Sequence, residues 1–128
     1  LVFSVTESDL PNAKTINSLY VMNTNGSSLV SVSDKLPGAS SPFWSSNDEL
    51  YVMNKGQLYK FSLETNEAIQ ITDFYAGVSD PIVSSDGRLV AFTADLFPEC
   101  GTDNECNKKL DESSSNGPVQ AYLSLIHI

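Results

Sequence analysis

The chain has 128 residues, of which 41% are apolar and 18% charged, a mass of 13.9 kDa and a mean hydropathy of -0.12. Those values suit a soluble folded chain and exclude a disordered one, and no apolar run reaches the roughly 18–20 residues of a membrane-spanning helix. Sixteen acidic against seven basic side chains give a net charge of -9 and a pI near 4.2, a surface that repels nucleic-acid phosphates and anionic membranes and serves solubility.

The chain opens without Met on the apolar run Leu1-Val2-Phe3-Ser4-Val5. It shows no charged leader, and the natural start is expected to lie upstream. Residues 1–34 are expected to supply the later strands of one sheet, with Asn25-Gly26-Ser27 on a turn. A full four-stranded unit is predicted over 35–73. Pro42-Phe43-Trp44-Ser45 turns through Ser46-Asn47-Asp48 into Leu50-Tyr51-Val52-Met53. Asn54-Lys55-Gly56 leads to Leu58-Tyr59-Lys60-Phe61, and Glu64-Thr65-Asn66 leads to Ala68-Ile69-Gln70-Ile71-Thr72. Leu58/Lys60 and Ile69/Ile71 alternate with the period of a strand, although Tyr59 and Phe61 make both faces partly apolar. A third unit spans 74–122, with an insertion over 95–118. Its Asp86-Gly87 turn separates Ile82-Val83 from Leu89-Val90-Ala91-Phe92, and Asp-Gly reaches positive φ at little strain.

These units are copies of one another. A shift of 39 places, without a gap, lays Leu19-Tyr20 on Leu58-Tyr59, Asp34 on Asp73 and Gly38 on Gly77. It also lays Ser40 on Ser79, Pro42 on Pro81, Ser45-Ser46 on Ser84-Ser85 and Leu50 on Leu89. A period near 40 without 3.6-residue apolar patterning predicts an all-β fold, a partial β-propeller built of four-stranded antiparallel blades. Such a ring needs at least about four blades, so this chain is expected not to close one. Its two end blades are expected to expose surface and promote aggregation when it is expressed alone; a cooperative, monomeric thermal transition is the opposing result. Residues 123–128, Leu-Ser-Leu-Ile-His-Ile, resemble the translation of a transposon-end sequencing adapter and are expected to be a foreign tail; a genuine apolar strand is the alternative. His127, the single His, falls there and is a poor candidate for catalyst or ligand.

Val78-Ser79-Asp80-Pro81-Ile82-Val83-Ser84-Ser85-Asp86-Gly87-Arg88-Leu89-Val90-Ala91-Phe92 resembles the "SDP…SPDG…VAF" blade pattern of the prolyl oligopeptidase family of serine peptidases, which TolB-type propellers share. Ser85 stands where that pattern has Pro. The following Phe97-Pro98-Glu99-Cys100 and Asn104-Glu105-Cys106-Asn107-Lys108-Lys109-Leu110 resemble a cysteine-bracketed insertion of the dipeptidyl-peptidase V and acylaminoacyl-peptidase-like branch. The resemblance covers nearly all of residues 1–122. It implies a parent serine peptidase whose propeller gates access for short peptide substrates. A C-terminal α/β-hydrolase domain would be its partner and carry Ser, Asp and His on its own chain. The chain here has no G-x-S-x-G, so no catalytic residue is expected in it. No cofactor, no metal, no nucleic acid and no membrane partner is implied. The alternative is a non-enzymatic TolB-like propeller acting as a protein-binding module.

Cys100 and Cys106 enclose five residues. A disulfide is the expected state and free structural thiols are the alternative, since acidic neighbours disfavour a thiolate and no His stands near for a zinc site. A bridge would imply an oxidising compartment, whether secretory, lysosomal or periplasmic. Asn25 is a candidate glycosylation site. The acids from Asp95 to Glu112 match no calcium loop and are read as a solvated loop. Breakers across Ser113–Pro118 argue against a helix there. Trp44, Tyr51, Tyr59 and Phe61 are read as interblade packing rather than a binding groove.

Overall fold

The computed structural model describes residues 1–113 and the backbone of residues 120–127. Among the described residues, ten strands and one helix follow in chain order. Strands β1 (Val2–Asp9), β2 (Lys14–Val21) and β3 (Val30–Ser31) form a first antiparallel sheet. Strands β4 (Ser40–Trp44), β5 (Leu50–Asn54), β6 (Gln57–Ser62) and β7 (Glu67–Gln70) form a four-stranded meander. Strands β8 (Ser79–Val83), β9 (Leu89–Leu96) and β10 (Gln120–His127) form the third sheet, and helix α1 (Asn104–Ser113) lies between β9 and β10 in the chain. The fold is thus an all-β, partial propeller of consecutive antiparallel sheets, with no closed barrel.

The middle sheet explains its own nearly continuous apolar sequence. Successive side chains on a strand leave opposite faces. The register pairs Leu50 with Phe61 and Val52 with Tyr59 on one face, and Tyr51 with Lys60 and Met53 with Leu58 on the other. The first set closes on Leu19, Val21, Val32, Leu36 and Ala39 around the first sheet. On the other side, Tyr51 and Leu58 join Val78, Val90, Phe92 and Ala94 of the third. A sheet packed on both sides needs both faces apolar, which overrides simple alternation. Burying one such Val, Leu or Phe side chain contributes about 1.5–3 kcal/mol. Ile69 escapes this role: it sits on the edge strand β7 and is exposed.

The repeat is visible in backbone detail. Gly38 (φ 84°) and Gly77 (φ 82°) occupy matching left-handed positions before β4 and β8. Ser41 (φ 50°) and Asp80 (φ 51°) mark matching irregularities, where both pairings shift register. The amide of Leu19 donates to Ser33 Oγ at 2.8 Å, and the amide of Leu58 to Thr72 Oγ1 at 2.9 Å. In each case a hydroxyl replaces the strand partner that ends early.

The gapless alignment fails at one point. Ser45 N donates to Glu49 O, whereas Ser84 N donates to Leu89 O, so the turn of the third sheet is one residue longer. Trp44 pairs with Leu50, but Val83 pairs with Val90. The structural partner of Leu50 is therefore Val90, and of Val52, Phe92. One slipped residue reverses every side chain on a strand. Val90 and Phe92 are accordingly fully buried while Leu89 is only half-buried.

Strand β10 runs antiparallel to β9, from Gln120 opposite Leu96 to His127 opposite Leu89. An alternating apolar segment beside an unpaired strand edge pairs with it whatever its origin. The expectation that no helix forms over Ser113–Pro118 falls mainly on residues outside those described, as does the side chain of His127. No helix among the described residues is long and apolar enough to cross a membrane.

Candidate functional site

The most elaborate local structure is the insertion after β9. Its acids predict a solvated loop, yet it carries helix α1, whose only side chain buried from solvent belongs to Asn107. Periodicity of apolar residues cannot reveal a helix docked through an amide. Asn107 Oδ1 accepts the amide of Phe97 at 2.8 Å, and its Nδ2 donates to the carbonyls of Gly101 and Asp103. Asp103 caps the helix, its Oδ1 accepting the amide of Cys106 at 3.1 Å, and such a cap contributes about 1 kcal/mol. The sequence reading misses this helix; the signal that could have revealed it is Asp103 as an N-cap three residues before Cys106.

Cys100 and Cys106 are bonded in a disulfide, with Cα atoms 5.4 Å apart. The bridge ties the turn that follows Phe97 to the first turn of α1. A loop this short contributes about 2 kcal/mol on the chain-entropy estimate. Reduction is expected to lower the denaturation midpoint by a corresponding amount and to speed amide exchange in α1 before that in β5. Unchanged exchange in α1 on reduction is the contrary result.

Further contacts pin α1 to the loop that enters the third sheet. Tyr75 N donates to Asn104 Oδ1 at 2.9 Å, Asn104 Nδ2 to Asp73 O at 3.0 Å and Tyr75 Oη to Asp111 Oδ2 at 2.9 Å. The acceptor Asp111 holds the phenolic proton and raises the Tyr75 pKa above its ordinary value. Between this loop, the end of β9 and α1 opens a cleft of about 280 Å³, lined by Tyr75, Ala76, Asp95, Phe97, Asn107 and Asp111. Two carboxylates beside two aromatic rings suit a cationic group better than an anionic one. Among the described residues no three His, Cys, Asp or Glu side chains converge as metal ligands.

The other named residues lie apart from this cleft. Tyr51 and Phe61 are buried on opposite faces of the middle sheet, and Tyr59 packs against the core shared with the first sheet. Phe43 stacks on Tyr51 with centroids 5.4 Å apart. Trp44 is exposed and lines a wider groove of about 1010 Å³ together with Val21, Val30, Leu63 and Asn25. Asn25 sits in an exposed turn, its Oδ1 accepting both the amide and the hydroxyl of Ser27. Asn54 Oδ1, beside Gly38, is a buried side-chain oxygen without a hydrogen-bond partner.

A polar cluster lies on the face of the middle sheet that meets the third. Lys60 Nζ contacts Glu49 Oε1 at 2.8 Å, and Tyr51 Oη donates to Glu49 Oε2 at 3.2 Å. The Lys60 hydrogen bond lowers the Glu49 pKa, against a smaller desolvation effect. Burial, with the Glu49 charge beside it, pushes the Tyr51 phenol up to about 12. The two groups act at opposite ends of the pH scale. Glu49 favours folding above its unfolded pKa, and that contribution disappears as pH falls through the folded value. Tyr51 favours folding below 10.0, its ordinary value, and that contribution is lost as pH rises toward about 12. Lys60→Met is expected to flatten the acid limb of the stability profile and leave the steep loss at high pH. An unchanged acid limb in denaturant titrations would count against the Glu49–Lys60 pair.

These sheets define a propeller-like β architecture with a helical insertion clamped by a disulfide. Neither a protein-family model nor a curated protein sequence matches the chain significantly. Among solved structures 15 chains match. One is the acylaminoacyl peptidase of Pyrococcus horikoshii, at 18% identity and a TM-score of 0.59, over 77% of this chain and 16% of that one. At that identity the likeness establishes the fold, and the chain spans a small part of that protein's length.

Proposed function

We propose that the chain is a segment of the substrate-gating propeller of a serine peptidase of the dipeptidyl or acylaminoacyl type. The observation that carries this reading is the structural likeness to an acylaminoacyl peptidase. The Ser79-Asp80-Pro81 blade motif and the cysteine-bracketed insertion support it from the sequence side. On this reading the propeller restricts entry to short peptides, and a separate α/β-hydrolase domain supplies the Ser-Asp-His chemistry and is the propeller's partner. The Cys100–Cys106 bridge supports an oxidising compartment. Residues 123–128 are proposed to be adapter-derived, and Asn25 a glycan acceptor.

Recovery of the complete transcript tests the proposal. A G-x-S-x-G elbow several hundred residues downstream is the expected result. A chain ending after the ring would replace the peptidase with a TolB-like binding module. The purified 128-residue chain is expected to leave chromogenic dipeptides untouched, and turnover abolished by a serine-directed inhibitor would overturn the division of labour.

A further inference from the structure

The turn Asn23–Ser27 gathers hydrogen-bond donors around the Asn25 side chain, an arrangement that does not depend on the peptidase reading. The amide of Gly26 donates to Asn23 O at 2.9 Å and that of Asn23 to Ser27 O at 2.9 Å, closing the turn. Within it, the donors gather on one carbonyl. Ser27 N donates to Asn25 Oδ1 at 2.9 Å and Ser27 Oγ donates to the same oxygen at 2.6 Å. Behind them, Asn23 Nδ2 donates to Ser27 Oγ at 3.1 Å, polarising that hydroxyl. The next residue, Gly26, has φ 85° and open space where a Cβ would stand, so its backbone nitrogen meets no steric screen on approaching the Asn25 side chain.

We propose that Asn25 is a self-modification site, at which the Gly26 amide nitrogen cyclises onto the Asn25 side chain with Ser27 acting as an oxyanion holder. The Gly26 nitrogen loses its proton to water and forms a bond to Asn25 Cγ. The carbonyl electrons move onto Oδ1, where the Ser27 amide and hydroxyl stabilise the developing charge. Collapse breaks the Cγ–Nδ2 bond, and the side-chain nitrogen takes up a proton and leaves as ammonia. Water then opens the cyclic imide at either carbonyl, giving aspartate or isoaspartate. The net change is Asn plus water to Asp or isoAsp plus ammonia, with no redox step. The gate is the Gly26 N–H bond to Asn23 O, which must open first; the turn is exposed throughout, so that opening needs no core disruption. Conversion adds a negative charge beside the groove of Trp44 and Leu63. It also consumes the nitrogen that a glycan would occupy, so the two fates are mutually exclusive.

The test incubates the full chain in mildly alkaline buffer and follows residue 25 by peptide mapping with isoaspartate detection. The parent is expected to convert about tenfold faster than Ser27→Ala, which corresponds to roughly 1.4 kcal/mol of lost oxyanion stabilisation. Asn23→Ala is expected to fall between them. Equal rates in parent and Ser27→Ala would overturn the proposal, because an Asn-Gly pair reacting without help from the turn would not notice the hydroxyl. Absence of conversion in the parent, with the Gly26 bond holding the turn shut, would overturn it as well.

Discussion

Gly77→Ala is expected to destabilise the chain by about 3 kcal/mol or more, which is a large share of the margin of an ordinary small domain. Two effects add. Gly77 has φ 82°, and a side chain there costs about 1–2 kcal/mol in the left-handed region. A Cβ would also stand 2.9 Å from Gly56 O and 3.2 Å from Gly56 Cα. Those atoms are backbone, so no rotamer change relieves the clash. The same carbonyl accepts the amide of Val78 at 2.7 Å, and pushing the strands apart sacrifices that bond, worth about 1 kcal/mol. The hairpin of the middle sheet and the entry to the third are joined here, so damage spreads to the core around Val78 and Phe92. Gly101→Ala is the control, since Gly101 has φ 55° but nothing within 4 Å of the added Cβ. It is expected to cost only the conformational part, about 1–2 kcal/mol. Comparable denaturation midpoints for the two variants would show that the Gly56–Gly77 approach is not tight.

Phe92→Ala is expected to cost about 3–5 kcal/mol, the usual range for emptying a phenyl site in a packed core. Phe92 is completely buried and meets Phe74 edge to face, with centroids 5.2 Å apart. Its neighbours Tyr51, Leu58 and Val90 belong to two sheets, so the hole cannot be closed by shifting one strand. Leu89→Ala is expected to cost about 1 kcal/mol, because Leu89 lies on the other face and is half-exposed. Chemical denaturation of both variants decides between two alignments of the repeat. A larger loss for Leu89→Ala than for Phe92→Ala would restore the uniform 39-residue spacing.

That contrast marks how much of the fold is legible in residue types. The strand sequence of the middle sheet, the turn at Gly56 and the match of Gly38 with Gly77 follow from residue types alone. Glycine and Asn-Asp or Asp-Gly pairs mark backbone conformations that other residues resist. The register of the third sheet did not follow. Leu50 and Leu89 are identical, and identity is a stronger visual cue than a one-residue change in turn length, which only the pairing reveals. The irregularities at Ser41 and Asp80 were equally silent: Ser is no marker of positive φ, and the tolerance of Asp for it is outweighed here by an otherwise strand-like run. Among the polar residues, Thr72 reads as the last residue of a strand and Ser33 carries no signal, until both are seen accepting matching strand amides.

The cleft was hidden for a related reason. Tyr75, Asp95 and Asp111 are far apart in sequence, and helix α1 brings them together only because Asn104 and Asn107 bond to backbone groups. The cysteines were visible as a pair, but what they hold was not. Their acidic surroundings suggested a solvated excursion, whereas the chain uses amide side chains in place of an apolar stripe to dock the helix.

The extra residue in the Asp86-Gly87 turn has a bearing on how such units could be exchanged by recombination. A crossover placed inside β5 and β9 by matching Leu50 to Leu89 would produce a chimera with its pleat inverted, turning Ala91 and Thr93 inward and phenylalanine out to water. Joints placed ahead of Ser45 and Ser84, which carry each hairpin across intact, would preserve the facing. Shuffling within this lineage is thus constrained to whole hairpins as the transferable modules.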